Sequence, residues 1–224
     1  MGVVSDAFHY LTTSGNWSGD GSIGARLFEH IQVSGLSVGL ASAVAIPAGL
    51  YIGHTRKGER AVEGISNLGR AIPSFAILAL ALPFSIRLGL GLGFWPTVLA
   101  LFALAVPPIL TNTHVGIRGV DAEMVEAARG MGMTGRQVLL RLEAPLAGPL
   151  IVSGVRTAAV QVIATATLAA LVAWGGLGRL ITDGFAVQDN AKILAGALLV
   201  AALAIAAELS LGALERLVWP QTSS

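Results

Sequence analysis

Apolar residues in this chain fall into long blocks separated by short polar breaks, and each block predicts a helix of membrane-spanning character. The first block covers about 31–53. Its small residues Gly35, Gly39, Ala41, Ser42, Ala43 and Ala45 suit close helix contact in lipid. Pro47 is a candidate kink, and the basic run from His54 to Arg60 ends the block. The second block, about 71–86, is short for a span of about 20 residues. A full crossing therefore has to begin near Val62, with Arg70 at the interface or against protein, and Pro73 and Pro83 make it irregular. Arg87 and the glycine-rich run 89–93 predict a tight turn. A third block, 94–110, follows, its end disturbed by Pro107 and Pro108. A polar stretch, 111–143, breaks the pattern. The fourth block covers 146–174, a loop with Arg179, Asp183 and Asp189 covers 175–190, and the fifth block covers 191–211.

Lysine and arginine give these spans a direction. With the N-terminus outside, one side holds nine: Arg56, Lys57, Arg60, Arg70, Arg118, Arg129, Arg136, Arg141 and Arg216. The other holds four: Arg26, Arg87, Arg179 and Lys192. The excess puts the polar stretch and the C-terminus in the cytoplasm, provided the second block crosses. The expected organisation is an N-terminal extracytoplasmic or interfacial segment, 1–30, a transmembrane domain, 31–217, and a cytoplasmic tail, 218–224. Within the domain, 118–145 forms a cytoplasmic loop. The N-terminus lacks a basic region followed by an apolar core, so no cleavable signal peptide is expected.

Composition narrows the classes further. Of 224 residues, 54% are hydrophobic and 12% charged, against about a quarter charged in a soluble domain. About five spans leave no room for a large catalytic domain. A net charge of +1 gives no electrostatic case for nucleic acid. With no cysteine there is no disulfide, thiolate metal site or thiol catalysis. His9, His30, His54 and His114 lack metal-ligand spacing, and there is no phosphate-binding G-x-x-x-x-G-K-[ST].

The polar stretch reads as two short helices. In 120–129, Val120, Met124, Ala127 or Ala128, and Met131 share a stripe, while Asp121 and Glu123 occupy the first turn, where the helix dipole favours anions. Gly130 and Gly132 stop that helix. Thr134 and Gln137 fit a capping box that opens a second helix, from Gly135 to about Leu142, and Pro145 marks the entry to the fourth span.

The run from Glu126 to Pro145, EAARGMGMTGRQVLLRLEAP, resembles the EAA loop of binding-protein-dependent ABC importer permeases. Glu126, Ala127, Ala128, Gly132 and Pro145 match its spacing. Leu142 stands where Ile is frequent, and Ala144 replaces the usual Leu. The resemblance implies an all-α integral membrane protein of the type I ABC importer permease fold, whose loop carries a coupling helix for a separate ATPase. The ATPase-coupling residues are then Glu126, Ala127, Ala128, Gly132, Leu142 and Pro145. It implies as partners ABC ATPase subunits, a second permease chain, identical or paralogous, and an extracytoplasmic substrate-binding protein. ATP and Mg would be bound by the ATPase, with no cofactor, metal or catalytic residue in this chain. The location implied is the bacterial cytoplasmic membrane. Asn16 to Gly19, Arg26 to His30, Leu50 to His54 and Trp174 to Ile181 are similar to the glycine betaine, carnitine and choline branch, so the likeness extends over about 16–217.

The remaining polar residues carry two readings each. Gln161, Thr165 and Thr167 are candidates for the translocation path, although threonines in helices often bond to their own carbonyls. Arg156 and Glu208 lie near span ends and are expected to snorkel or pair. Trp17, Trp95, Trp174 and Trp219 flank apolar blocks as interfacial anchors, with no cluster of three aromatics to form a cation–π cage. Rival functions are an ABC permease for methionine or another amino acid, an ATP-independent carrier or channel, and a membrane scaffold.

Overall fold

The computed structural model describes residues 2–219, leaving aside the side chain of Arg70, so the expectation for that arginine and the tail beyond Trp219 lie outside the described residues. The described chain is helical, without strands. Its elements are α1 (Val3–Thr12), a 3₁₀ turn (Ser14–Trp17), α2 (Ile23–Thr55), α3 (Glu59–Ala71), α4 (Ser74–Arg87), α5 (Phe94–Arg118), α6 (Ala122–Gly130), α7 (Gly135–Val138), a π turn (Leu139–Glu143), α8 (Ala144–Thr165), a 3₁₀ segment (Ala166–Val172), α9 (Gly178–Val187) and α10 (Asn190–Val218).

Among the described residues, four helical stretches are long and apolar enough to cross a membrane: α2, α5, Gly135–Val172 and α10. A bent pair, α3 and α4, whose axes meet at 101°, makes a fifth crossing only if the two helices count as one broken span rather than a re-entrant loop. The second block is therefore not one helix starting near Val62. Pro73 supplies the cause: it lacks an N–H and pushes Ile72 out of the helical region, to φ −86° and ψ 123°. α3 buries Val62 and Ser66 and exposes most of its other residues, as an interfacial helix does.

Helix α5 is the hub, packed against α2, α3, α4 and α8. The main core joins Val33, Ala41 and Ala45 of α2 to Val98, Leu101, Ala105 and Ile109 of α5 and to Ala158 and Val162 of α8. Glycine sets the helix separations. A Cβ at Gly49 would lie 2.7 Å from the Thr113 Cβ, and one at Gly154 2.7 Å from the Asn112 Cβ. Lipid chains are as apolar as leucine, so this close backbone approach supplies much of the packing energy.

Several expected boundaries shift. α2 starts at Ile23, so the division at 30/31 falls inside a continuous helix. α5 runs through Pro107 and Pro108 to Arg118, and the first eight residues of the polar stretch are helical. Polar side chains there bond back to the helix, with Asn112 Nδ2 donating to Pro108 O (2.8 Å) and Thr113 Oγ1 to Ile109 O (2.8 Å). The loop expected over 175–190 contains α9, which folds back on α10. A left-handed Gln188 (φ 56°) makes the turn, and Asp189 caps α10 by accepting from Lys192 N (3.0 Å).

Candidate functional site

The 119–145 region projects from one end of the bundle. Asp121 accepts from Glu123 N (2.8 Å) and starts α6. Its end is a Schellman turn: Met133 N donates to Ala128 O (3.1 Å), Gly132 N donates to Arg129 O (2.9 Å), and Gly132 takes φ +84°. Thr134 and Gln137 then form the expected capping box. A Cβ on Gly132 would meet nothing within 4 Å, so only its backbone conformation asks for glycine within this chain.

The inward stripe of α6 differs from the sequence expectation. Ala128 is buried (3%) and Val125 half-buried, whereas Met124 (46%) and Met131 (78%) point outward. Glu126 and Ala127 are exposed, and Glu126 lines a polar cleft of about 300 Å³ with His54, Arg56, Arg118 and Arg129. The second short helix does not stop at Leu142. It widens into the π turn, where Ala144 N reaches Leu139 O, and runs on as α8. Pro145 explains the widening, because a regular α turn would drive its ring into the Arg141 carbonyl. Leu142 is half-buried. Pro145 is exposed, its carbonyl accepting from Trp219 Nε1 (3.1 Å). α7 thus continues into a span as an unbroken helix, and α6 is joined to it by the Gly132 turn.

Sequence spacing did not reveal what braces this end. His54 Nδ1, at the end of α2, donates to Glu143 Oε2 (2.5 Å) in the π turn, 89 residues away. Glu59 pairs with Arg118 (3.2 Å) and ties α3 to α5.

On one side of the bundle, Gln161 lines a cavity of about 230 Å³ with Ser66, Thr111, Asn112, Pro107 and Pro108. Ser66 and Thr111 share a hydroxyl hydrogen bond. Thr165 lines a second, pinched cavity of about 10 Å³ with Ser74, Leu78, Thr97 and Leu168. Gln161 and Thr165 therefore look toward α3, α4 and α5. Thr167 lines neither cavity; its hydroxyl donates back to Ala164 O (2.8 Å), as a helix threonine commonly does. Arg156 bonds Glu208 (3.2 Å) and Glu215 (3.1 Å) of α10.

At the opposite end, two segments distant in sequence meet. Glu29 Oε2 accepts from Gly176 N (2.7 Å) and from Arg26 Nη1 (2.9 Å). His30 is fully buried. Leu177 N donates to its Nδ1 (3.3 Å), so Nε2 carries the proton and donates to Ile163 O (2.9 Å). These contacts satisfy two backbone amides ahead of α9 and place a carboxylate at its positive end. Nearby, Phe94 packs between Trp95 (centroids 5.2 Å apart) and Trp174 (4.8 Å). Three aromatics thus do cluster, contrary to the sequence reading, because the turn after the fourth block returns to the start of the third. Phe94 and Trp174 pack on the main core rather than forming an open cage.

Residues 45–220 match the family model described as binding-protein-dependent transport system inner membrane component. The chain is 41% identical over 196 residues to the carnitine transport permease protein OpuCB of Listeria monocytogenes, covering 88% of each chain. It is 38% identical over 211 residues to the choline transport system permease protein OpuBB of Bacillus subtilis (strain 168), covering 94% of this chain and 93% of that one. Among solved structures, it matches a chain of the MetNI methionine ABC transporter in an inward-facing conformation with a TM-score of 0.77. That match has 22% identity and covers 86% of this chain and 94% of the other.

Proposed function

The chain belongs to the family of binding-protein-dependent transport system inner membrane components, and from that premise we propose that it is the permease of an ATP-driven importer for compatible solutes. The class comprises glycine betaine, carnitine, choline and related quaternary amines. The carrying observation is similarity of 38–41% over nearly the whole chain to permeases named for carnitine and choline. The opening Arg26 to His30 and the glycine turn from Trp174, similar in sequence to that branch, are in contact here, which supports reading them as one unit.

On this reading the 119–145 end is cytoplasmic, in line with the lysine and arginine excess on that side. α6 docks on an ATPase subunit, presenting Glu126, Ala127, Met124 and Met131. Gly132 and the capping box fix its turn. The unbroken helix through Leu142 and Pro145 carries the motion into α8. ATP and Mg bind to the ATPase, and this chain gates. Two permease chains enclose the path, which the cavity at Gln161 and the pocket at Thr165 would line. A binding protein delivers solute at the end bearing Glu29 and His30. An ATP-independent carrier has less support, since Arg156 is engaged by Glu208 and Glu215 and lines neither cavity beside Gln161 and Thr165.

The test is co-purification with candidate ATPase and binding-protein subunits, then ATP hydrolysis in liposomes with a panel of betaines and amino acids. Stimulation by quaternary amines is expected. Stimulation by methionine alone would move the chain to an amino-acid importer, and transport without any ATPase would overturn the proposal.

A further inference from the structure

The segment after α8 is held in a form that its sequence does not favour. Ala166 to Val172 reads ATLAALV, rich in the strong helix formers alanine and leucine, yet all seven residues are 3₁₀. Runs of that helix beyond three or four residues are uncommon, and a long one inside a span often marks a hinge. Ala173 then takes a left-handed conformation (φ 65°), unusual for a residue with a Cβ. A 3₁₀ helix rises about 2.0 Å per residue and an α-helix 1.5 Å. Seven residues are thereby stretched by about 3.5 Å relative to the α form.

The segment turns back on itself, because His30 bonds Ile163 O ahead of it through Nε2 and Leu177 N behind it through Nδ1. Glu29 holds Gly176 N beside them. The fit is tight: a Cβ on Gly175 would fall 1.9 Å from Glu29 Oε2, and one on Gly178 2.0 Å from Thr167 O, so the start of α9 lies against the start of the segment. Within the segment, Leu168 and Ala169 line the pocket at Thr165 together with Ser74, Leu78 and Thr97, which leaves about 10 Å³, room for about one water.

We propose that Glu29 and His30 are positioning residues that clasp the Gly175 to Leu177 turn and hold the 166–172 segment closed across the outer end of the path. Release frees the segment to move with its turn, withdraws Leu168 and Ala169, and opens that end. The clasp rests on the transporter reading and orientation given above. It assigns the outer gate to a backbone turn fixed by two side chains, and leaves the opposite end to α6 and α7.

The absence of cysteine makes the test direct. Leu168→Cys is introduced into the full complex, with its ATPase and binding protein, in proteoliposomes with the outer end exposed. Labelling by a membrane-impermeant maleimide is timed without nucleotide and after trapping with ATP and vanadate. Slow labelling without nucleotide and faster labelling in the trapped state are expected. Adding Glu29→Ala, His30→Leu or Gly175→Ala should raise the nucleotide-free rate about tenfold, the scale of losing a buried hydrogen bond. Gly175→Ala removes no polar group and acts only by displacing Glu29. His30→Gln, which keeps a donor and an acceptor, should restore the slow rate, which loss of packing alone would not predict.

Parent-like labelling in the assembled Glu29→Ala and Gly175→Ala complexes would overturn the clasp. Equal labelling of the parent with and without trapping would do the same, and so would labelling from the ATPase side only. Solute-stimulated ATP hydrolysis by the parent complex is read in parallel. If that activity is absent, the transporter reading fails; if it is present while the thiol is unprotected, only the clasp fails.

Discussion

Gly132 separates what this chain requires of a residue from what a partner would require. Its φ of +84° penalises a branched side chain, but nothing within 4 Å opposes a Cβ. Asparagine tolerates the left-handed region, so Gly132→Asn should leave the melting temperature of the isolated permease within about 1 °C, an effect of a few tenths of a kcal/mol. If α6 docks on an ATPase, the same variant should still lower coupled transport several-fold. Normal uptake from Gly132→Asn and Gly132→Trp, both well expressed, would remove Gly132 from the docking surface. Gly49 is the converse case, an intramolecular requirement. Gly49→Val drives carbon into Thr113 at the α2–α5 crossing, and overpacking of this kind costs about 1–3 kcal/mol. A clear drop in the melting temperature in detergent is expected, whether or not the ATPase is present. An unchanged value would mean that α2 and α5 are not held at this separation.

At the level of elements, the sequence announced some features and concealed others for identifiable reasons. Thr134 and Gln137 lie three residues apart, so a local rule found their capping box. Gly132 was legible as a helix stop because its role is confined to one turn. The clasp was not legible as a contact, because Glu29 and Gly176 are 147 residues apart and neither has a pattern that names the other. α9 went unseen because its ten residues mix Arg179, Thr182 and Asp183 with Leu180 and Ile181, and its apolar face finds a partner only when Gly184 and Gly196 let α9 and α10 approach. The α6 stripe was misassigned for a related reason: periodicity marks an apolar face without saying whether its cover comes from this chain. Met131 is exposed, so Met131→Glu should leave insertion and melting unchanged while reducing ATPase retention on co-purification by about tenfold, the cost of about 1.4 kcal/mol at a docking contact. Full retention would point to another surface.

For the whole molecule, the uneven burial of the spans argues for a second chain on a particular side. In its most apolar window α5 is 50% buried and α10 only 17%, so α10 faces outward along most of its length. Its exposed surface carries Ile205 and Leu209, apolar and suited to lipid. The side bearing Gln161 has a different character. Its cavity of about 230 Å³ gathers Ser66, Thr111, Asn112 and Gln161 from three helices, and hydroxyls and amides facing hydrocarbon would be unfavourable. A second permease chain applied there would cover these groups and turn an open cavity into an enclosed path. The chain lacks cysteine, so Gln161→Cys can carry a single benzophenone maleimide, with Leu209→Cys as the outward control. After illumination of the assembled complex, mass spectrometry should find the adduct from position 161 on a permease chain, and the peptide identified tells a second copy from a paralogue. Position 209 should yield no permease adduct. The reverse pattern would move the interface to α10 and remove Gln161 from the path, while leaving the assignment of α6 to the ATPase intact.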